Sequence, residues 1–244
     1  MSLITPFEAS RERLRNAGRL GPWIVVFDID STIMDTSARN QAILRAAIQD
    51  LPELANLHGE CPDVGNSWNI LEPLSRLRLF DQEALKAVHD YWVERFFTNH
   101  WLEHDQPYPG VARCLATLKA RGFSIVYLTG RHRDGMEEGT RTSFHAHGLP
   151  AGAAEVFLFK PRFEDSDIAF KTAACAAIAD LGTVIGTVDN EPGNVNLFVR
   201  TFPEAHHVWM RTITSPNADA LVPGVIVIGP EAFLAHSQPG LKNN

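Results

Sequence analysis

Six short apolar runs recur along this chain: Trp23 to Phe27, Phe123 to Leu128, Val156 to Phe159, Thr183 to Val188, His207 to Met210 and Val225 to Ile228. Each is strand-sized and mostly apolar throughout, the pattern of a strand buried on both faces. Helical patterns lie between several of them. Val111, Leu115 and Leu118 share one face ahead of Gly122, and Ile168, Ala174, Ile178 and Leu181 line another ahead of Gly182. Buried strands alternating with helices predict a parallel sheet covered on both sides, a three-layer α/β fold.

The alternation fails between about Thr36 and Asp105. Ala38 to Leu51 and Gln82 to His104 read as helices, joined by an irregular stretch that contains Pro52, Gly59, Pro62 and Gly65. Roughly 70 residues without a strand signal are too many for an ordinary crossover. A small helical domain inserted into the core fits better, placed where it can close over the strand ends and exclude water. Pro6 to Leu20 reads as a helix stopped by Gly21-Pro22. The expected organisation is an N-terminal helical extension over 1–22, a core over 23–36 and 106–244, and a helical cap over 37–105.

Composition narrows the partners. The chain has 244 residues and a formal net charge of −7, with no long basic run, so a nucleic-acid partner is disfavoured. Cys61, Cys114 and Cys175 form neither a disulfide framework nor a metal knuckle, and buried thiols are the expectation. No apolar run approaches membrane-spanning length, and Met1 to Ser10 lacks the pattern of a secretory signal, so a cytoplasmic location is expected. Oligomeric state is not legible.

The chemistry concentrates in Asp28-Ile29-Asp30-Ser31-Thr32, directly after the first apolar run. Two carboxylates that close repel each other and lose hydration beside a core. A divalent cation relieves both costs, and turns one carboxylate into a positioned nucleophile while the other stays free for proton transfer. An EF-hand loop counted from Asp28 would need Gly and Glu where Ile33 and Arg39 stand, so that reading fails. Ligands of open parallel sheets gather at the strands' carboxyl ends. The second run ends in Thr129-Gly130-Arg131, a hydroxyl and a close-approach glycine suited to a phosphoryl oxygen, and the fourth in Asp189-Asn190-Glu191, a third carboxylate for a hard cation such as Mg²⁺. Lys171 lies near the start of a helix that Ser166 caps, where the helix dipole disfavours a cation. It reads as the lysine that offsets phosphoryl charge, with Lys160 as its competitor.

These residues, in this order, resemble the haloacid dehalogenase (HAD) superfamily. Val25 to Thr32 is similar to its Asp-x-Asp-x-Thr strand end, Val126 to Arg131 to its Thr or Ser strand end, and Pro107-Tyr108-Pro109-Gly110 to its re-entry from the cap. The resemblance covers about Trp23 to Met210 and implies a Rossmann-like core with a C1-type cap. It implies a Mg²⁺-dependent phosphatase that acts on a small phosphorylated substrate through an aspartyl-phosphate. Asp28 would be the nucleophile and Asp30 the acid and base. Thr129, Gly130 and Lys171 would bind phosphate, and Asp28, the Asp30 carbonyl and Asp189 the metal. Asp30 favours phosphatase or phosphotransferase over dehalogenase, whose leaving groups need no proton. The second acidic residue common beyond Asp189 is replaced at two places by Asn190 and Asn194, which leaves Glu191 or an amide to complete the outer sphere.

Other readings are weaker. His100-Trp101-Leu102-Glu103-His104 fits an inverted zinc-peptidase pattern if both histidines share a helix face. A non-catalytic binder of phosphoryl ligands on the same scaffold would not need the nucleophile, acid and lysine together. Arg39, Arg45, Trp68, Asn69, Arg76 and Arg78 are the cap candidates for recognising a leaving group. Arg131 and His132 either face the phosphate pocket or belong to an ordinary loop.

Overall fold

The structure, a computed structural model, describes residues 2–77 and 81–236. Its core is one six-stranded sheet in which every neighbouring pair is parallel. The strands are β1 (Trp23–Phe27), β4 (Phe123–His132), β5 (Val156–Lys160), β6 (Thr183–Asp189), β7 (His206–Met210) and β8 (Ile226–Ile228), in the order β5-β4-β1-β6-β7-β8. Two short antiparallel strands, β2 (Met34–Asp35) and β3 (Gln106–Pro107), form a separate neck.

Side-chain alternation sorts the helices into two layers. Val25 and Phe27 pack with Phe7 of α1 (Ile4–Asn16), Leu115 of α5 (Val111–Ala120) and Phe144 of α6 (Arg133–Ala146). Ile24 and Val26 face the other way, onto Cys175 and Ile178 of α7 (Asp167–Leu181) and Phe198 of α8 (Pro192–Thr201). Helix α1 is therefore an integral part of the core rather than an extension from it. A Cβ on Gly186 of β6 would collide with the Phe7 ring.

The excursion between β2 and β3 is helical, as expected: α2 (Ser37–Asp50), α3 (Leu71–Leu77) and α4 (Gln82–Phe96), with 3-10 turns at Pro52–Leu57 and His100–His104. It has an apolar cluster of its own, in which Ile43, Leu44, Leu74, Val88 and Trp92 are buried. Chain re-entry uses Gly110, whose φ of 93° is left-handed and whose missing Cβ leaves room for the Phe233 carbonyl. Helix α4 stops at Phe96, short of the expected His104. The buried face of α7 is Lys171, Ala174, Cys175 and Ile178, at i, i+3, i+4 and i+7, so Ile168 and Leu181 are exposed instead of lining it.

Candidate active site

Strand register brings the first two carboxylates together. Trp23 and Ile24 pair with Thr183 and Val184, but Val25 pairs with Gly186, so β6 carries one extra residue there. Phe27 consequently pairs with Val188, and the next residues, Asp28 and Asp189, leave adjacent strands at the same level. Without that bulge Asp28 would lie level with Val188, and the period-two alternation would turn Asp189 to the other face. Asp28 keeps its ladder bond, its N–H donating to the Val188 carbonyl at 3.0 Å.

Beyond Asp28 the chain turns sharply. The N–H groups of Thr32, Ile33 and Met34 all donate to the Ile29 carbonyl, at 3.2, 3.0 and 2.9 Å. Ser31 adopts φ 55°, a left-handed conformation that costs a non-glycine residue about 1 kcal/mol or more. The turn fixes Asp30 beside Asp28 without extending the strand.

Lys171 of α7 completes a buried triad. Its Nζ donates to Asp28 Oδ1 and to Asp189 Oδ2, each at 2.8 Å. Asp189 Oδ1 accepts from the Glu191 N–H at 2.8 Å and the Asn194 amide at 3.2 Å. Thr32 Oγ1 lies 3.1 Å from both Asp28 Oδ2 and Asn190 Oδ1, and its single proton serves one of them at a time. Two carboxylates share one ammonium, which leaves the triad one positive charge short. Burial, with the nearby Asp189 charge adding to it, raises the Asp28 pKa from 3.8 to about 7 although Lys171 opposes the shift. Lys171 is the reverse case, since the Asp189 and Asp28 charges outweigh its burial and hold it protonated.

Asp30 belongs to a second cluster, which is neutral. Arg131 Nε and Nη2 donate to its two oxygens at 3.1 and 2.7 Å, and Arg39 Nη2 adds a third bond at 2.5 Å. Both arginines also grip Asp105: Arg39 Nε at 2.8 Å and Arg131 Nη2 at 2.6 Å. Arg39, Arg131 and Asp105 have no exposed side-chain surface. Burial alone would raise the Asp30 pKa, but Arg131 and Arg39 outweigh it and hold the carboxyl well below its ordinary range. Asp105 is raised, because its deeper burial outweighs the same two cations. The cluster joins cap helix α2, the neck, β4 and the turn after β1.

The residues fit a magnesium ion. Among the described residues no group of three His, Cys, Asp or Glu is arranged to hold a metal. Mg²⁺ does not require one, since it takes one or two carboxylates and fills its shell with water and phosphate. The pair of Asp28 and Asp189, which shares a single ammonium, would offer those carboxylates, with the Asp30 carbonyl two residues beyond Asp28.

Residues 24–180 match the haloacid dehalogenase-like hydrolase family. The chain belongs to that family. No curated protein is close enough in sequence to count as a relative of this HAD-like hydrolase. Solved structures share its fold at low identity. A haloacid dehalogenase-like hydrolase from Streptococcus pneumoniae is 11% identical at a TM-score of 0.53, over 88% of this chain and 98% of its own. A predicted phosphoglycolate phosphatase from Haemophilus somnus is 13% identical at 0.52, over 88% and 97%. Protein Tyrosine Kinase A from Mycobacterium tuberculosis is 16% identical at 0.52, over 84% and 92%.

The family resemblance left several assignments open, which geometry now separates. Lys160 donates to Asp167 Oδ1 at 2.7 Å and to the Phe163 carbonyl, away from the triad. The Glu191 side chain accepts from the Ser215 N–H and hydroxyl, so Asp189 Oδ1 is held by the Glu191 main-chain N–H and the Asn194 side-chain amide. Thr129 is buried, and its Oγ1 accepts from the Arg131 N–H at 3.1 Å, which leaves its proton free to donate. Gly130 lines the cleft, and a Cβ there would come within 2.7 Å of an Asp167 oxygen.

The cap candidates mostly turn elsewhere. Arg39 is locked in the neutral cluster rather than aimed at a substrate. Arg45 lines a separate surface cavity with His58 and Cys61, and the Asn69 side chain accepts from the N–H groups of Leu71 and Glu72 at the start of α3. Arg76 is largely exposed beside Glu72, and Arg78 lies outside the described residues. Among the described residues of that set only Trp68 lines the cleft, joined by Trp92 and Phe96, which the sequence did not single out. Cys114 and Cys175 are buried as expected, but Cys61 is exposed. His100 and His104 sit on a 3-10 turn. At three residues per turn, positions four apart diverge by about 120°, so the two rings do not share a face for zinc. No helix among the described residues is long and apolar enough to cross a membrane.

Proposed function

We propose that this HAD-like hydrolase is a phosphatase that hydrolyses a small phosphate monoester through an aspartyl-phosphate on Asp28, with Mg²⁺ as cofactor. The observation that carries this reading is the triad: one ammonium bridging two carboxylates at adjacent strand ends, beside a second aspartate that does not share that ammonium. The Asp28 carboxylate, the Asp30 carbonyl and Asp189 would hold the metal, which when bound supplies positive charge to the phosphoryl oxygens.

Asp28 attacks phosphorus as the bond to the ester oxygen breaks and the alkoxide departs to take a proton from solvent, while Lys171 stays beside the attacking carboxylate as charge builds on the equatorial oxygens. The free proton of Thr129 and the backbone at Gly130 supply donors to those oxygens. Asp30 then takes a proton from the water that attacks phosphorus, and the bond to Asp28 breaks to release inorganic phosphate and restore the carboxylate. Arg131 and Arg39 keep that carboxylate ionised and open to a proton, while lowering its strength as a base. The same arginines oppose the acid role of Asp30 toward the departing alkoxide, so esters with stable leaving anions gain most. The resting location of the enzyme is expected to be the cytoplasm.

A panel of phosphate monoesters, assayed for released phosphate with Mg²⁺ and again with EDTA, tests the reading. Phosphate release that needs Mg²⁺ and vanishes in Asp28→Asn supports it. Undiminished release by Asp28→Asn overturns it.

A further inference from the structure

The cleft above Asp28 is small, about 120 Å³, and aromatic side chains line its cap side. Trp68, Trp92 and Phe96 form that wall, and Ile213 of the core also lines the cleft. The Trp92 indole N–H is spent on Asn40 Oδ1 at 2.8 Å, so Trp92 offers the cleft only carbon. Its ring packs against Phe96 at a centroid distance of 4.8 Å, and the Arg39 guanidinium covers Phe96 at 4.0 Å. These contacts hold the wall in place before any substrate arrives.

Charge in the cleft is lopsided. Among the described residues that line it, Lys171 is the one cation, and both of its acceptors are already Asp28 and Asp189. Of its four carboxylates, Asp30 is balanced by Arg39 and Arg131 and Asp167 by Lys160, which leaves Asp28 and Glu191 as the acidic groups without a cation of their own. Arg39 and Arg131 are fully buried and doubly engaged, so neither can reach a substrate. A leaving group that carries a carboxylate would meet aromatic carbon and like charge with no free cation among the described lining residues, and its desolvation would go uncompensated there. A flat uncharged group would instead gain apolar contact and offset stacking on the rings.

We propose that the cap selects phosphate monoesters whose leaving group is uncharged and presents a flat apolar face to Trp68. This specificity rests on the phosphatase reading for turnover, but not for binding. It separates the protein from an enzyme built for a carboxylated leaving group such as glycolate.

Two probes matched in size, 4-carbamoylphenyl phosphate and 4-carboxyphenyl phosphate, differ chiefly in one negative charge. Their affinities are read from tryptophan fluorescence in Mg²⁺, and their turnover from released phosphate. The carbamoyl ester is expected to bind roughly tenfold tighter or better, the penalty of an unpaired charge. Trp68→Ala is expected to weaken its binding, raising KM more than it lowers kcat, and Trp68→Arg to narrow the gap between the two esters. Equal affinities, preference for the carboxylate, or no binding of either probe overturns the proposal. Preferential binding of the carbamoyl ester with no phosphate released supports the ring-walled pocket and sinks the phosphatase reading instead.

Discussion

Replacing Lys171 by Met tests whether the triad is short of positive charge. The variant keeps most of the side-chain volume and removes the ammonium that donates to Asp28 and Asp189. Removing one partner of a buried ion pair costs about 3–5 kcal/mol, because the remaining charges are left uncompensated. For a chain of this size each kcal/mol moves Tm by roughly 2–4 °C, so a fall of about 6–20 °C is expected in EDTA. Millimolar Mg²⁺ should restore much of it by supplying charge at the same carboxylates. Lys160→Met is the control: its partner Asp167 is 59% exposed, and such pairs are worth about 1 kcal/mol or less. Thermal unfolding followed by near-ultraviolet circular dichroism reads all three. If Lys171→Met fails to fold, Asp28→Asn on the same background removes one of the two orphaned charges and should recover it. A Lys171→Met protein that melts with the wild type and ignores Mg²⁺ would refute the charge argument.

Three further outcomes follow from the packing and the titrations. Arg131→Met leaves Asp105 and Asp30 with Arg39 alone, and should cost about 3–5 kcal/mol in urea unfolding, with a good part returned by Asp105→Leu in the double variant. Gly186→Ala forces a Cβ into the Phe7 ring at the bulge that aligns Asp28 with Asp189; it should cost about 1–3 kcal/mol, and adding Phe7→Leu should relieve it. His207 is buried between Thr187 Oγ1 and the Phe202 carbonyl, and burial lowers its pKa from 6.5 to about 4. The unfolded chain therefore binds the proton first, so stability present above pH 6.5 is lost as pH falls toward 4. His207→Gln should flatten that part of the pH profile, and an unchanged profile would mean the imidazole is charged in the folded state.

The strands and their acidic ends were legible because a buried parallel strand announces itself as an unbroken apolar run, and Asp28, Thr129 and Asp189 each end one. Lys171 was legible as a cation at the wrong end of a helix. Helix α6 was not, because Gly135 and Gly139 look like breakers in the sequence. In the fold their missing side chains admit His132 and the Asn99 backbone, and the Gly139 N–H bonds Asn99 Oδ1 at 2.7 Å. Asp105 carried no local signal, since its partners Arg39 and Arg131 are 66 and 26 residues away. Trp92 and Phe96 sit on the buried stripe of an amphipathic helix, and nothing in that periodicity distinguishes a ring that meets core from one that meets a cleft. The extra residue in β6 is likewise a tertiary event, marked in the sequence only by a glycine within an apolar run.

The most direct measurement is rapid acid quench of the Mg²⁺-loaded enzyme during turnover of its best monoester, followed by peptide mass spectrometry. Covalent catalysis from the strand end predicts a phosphoryl group on the Asp28 peptide, absent from Asp28→Asn. Turnover with the phosphoryl group on a different residue, or surviving in Asp28→Asn, would contradict it.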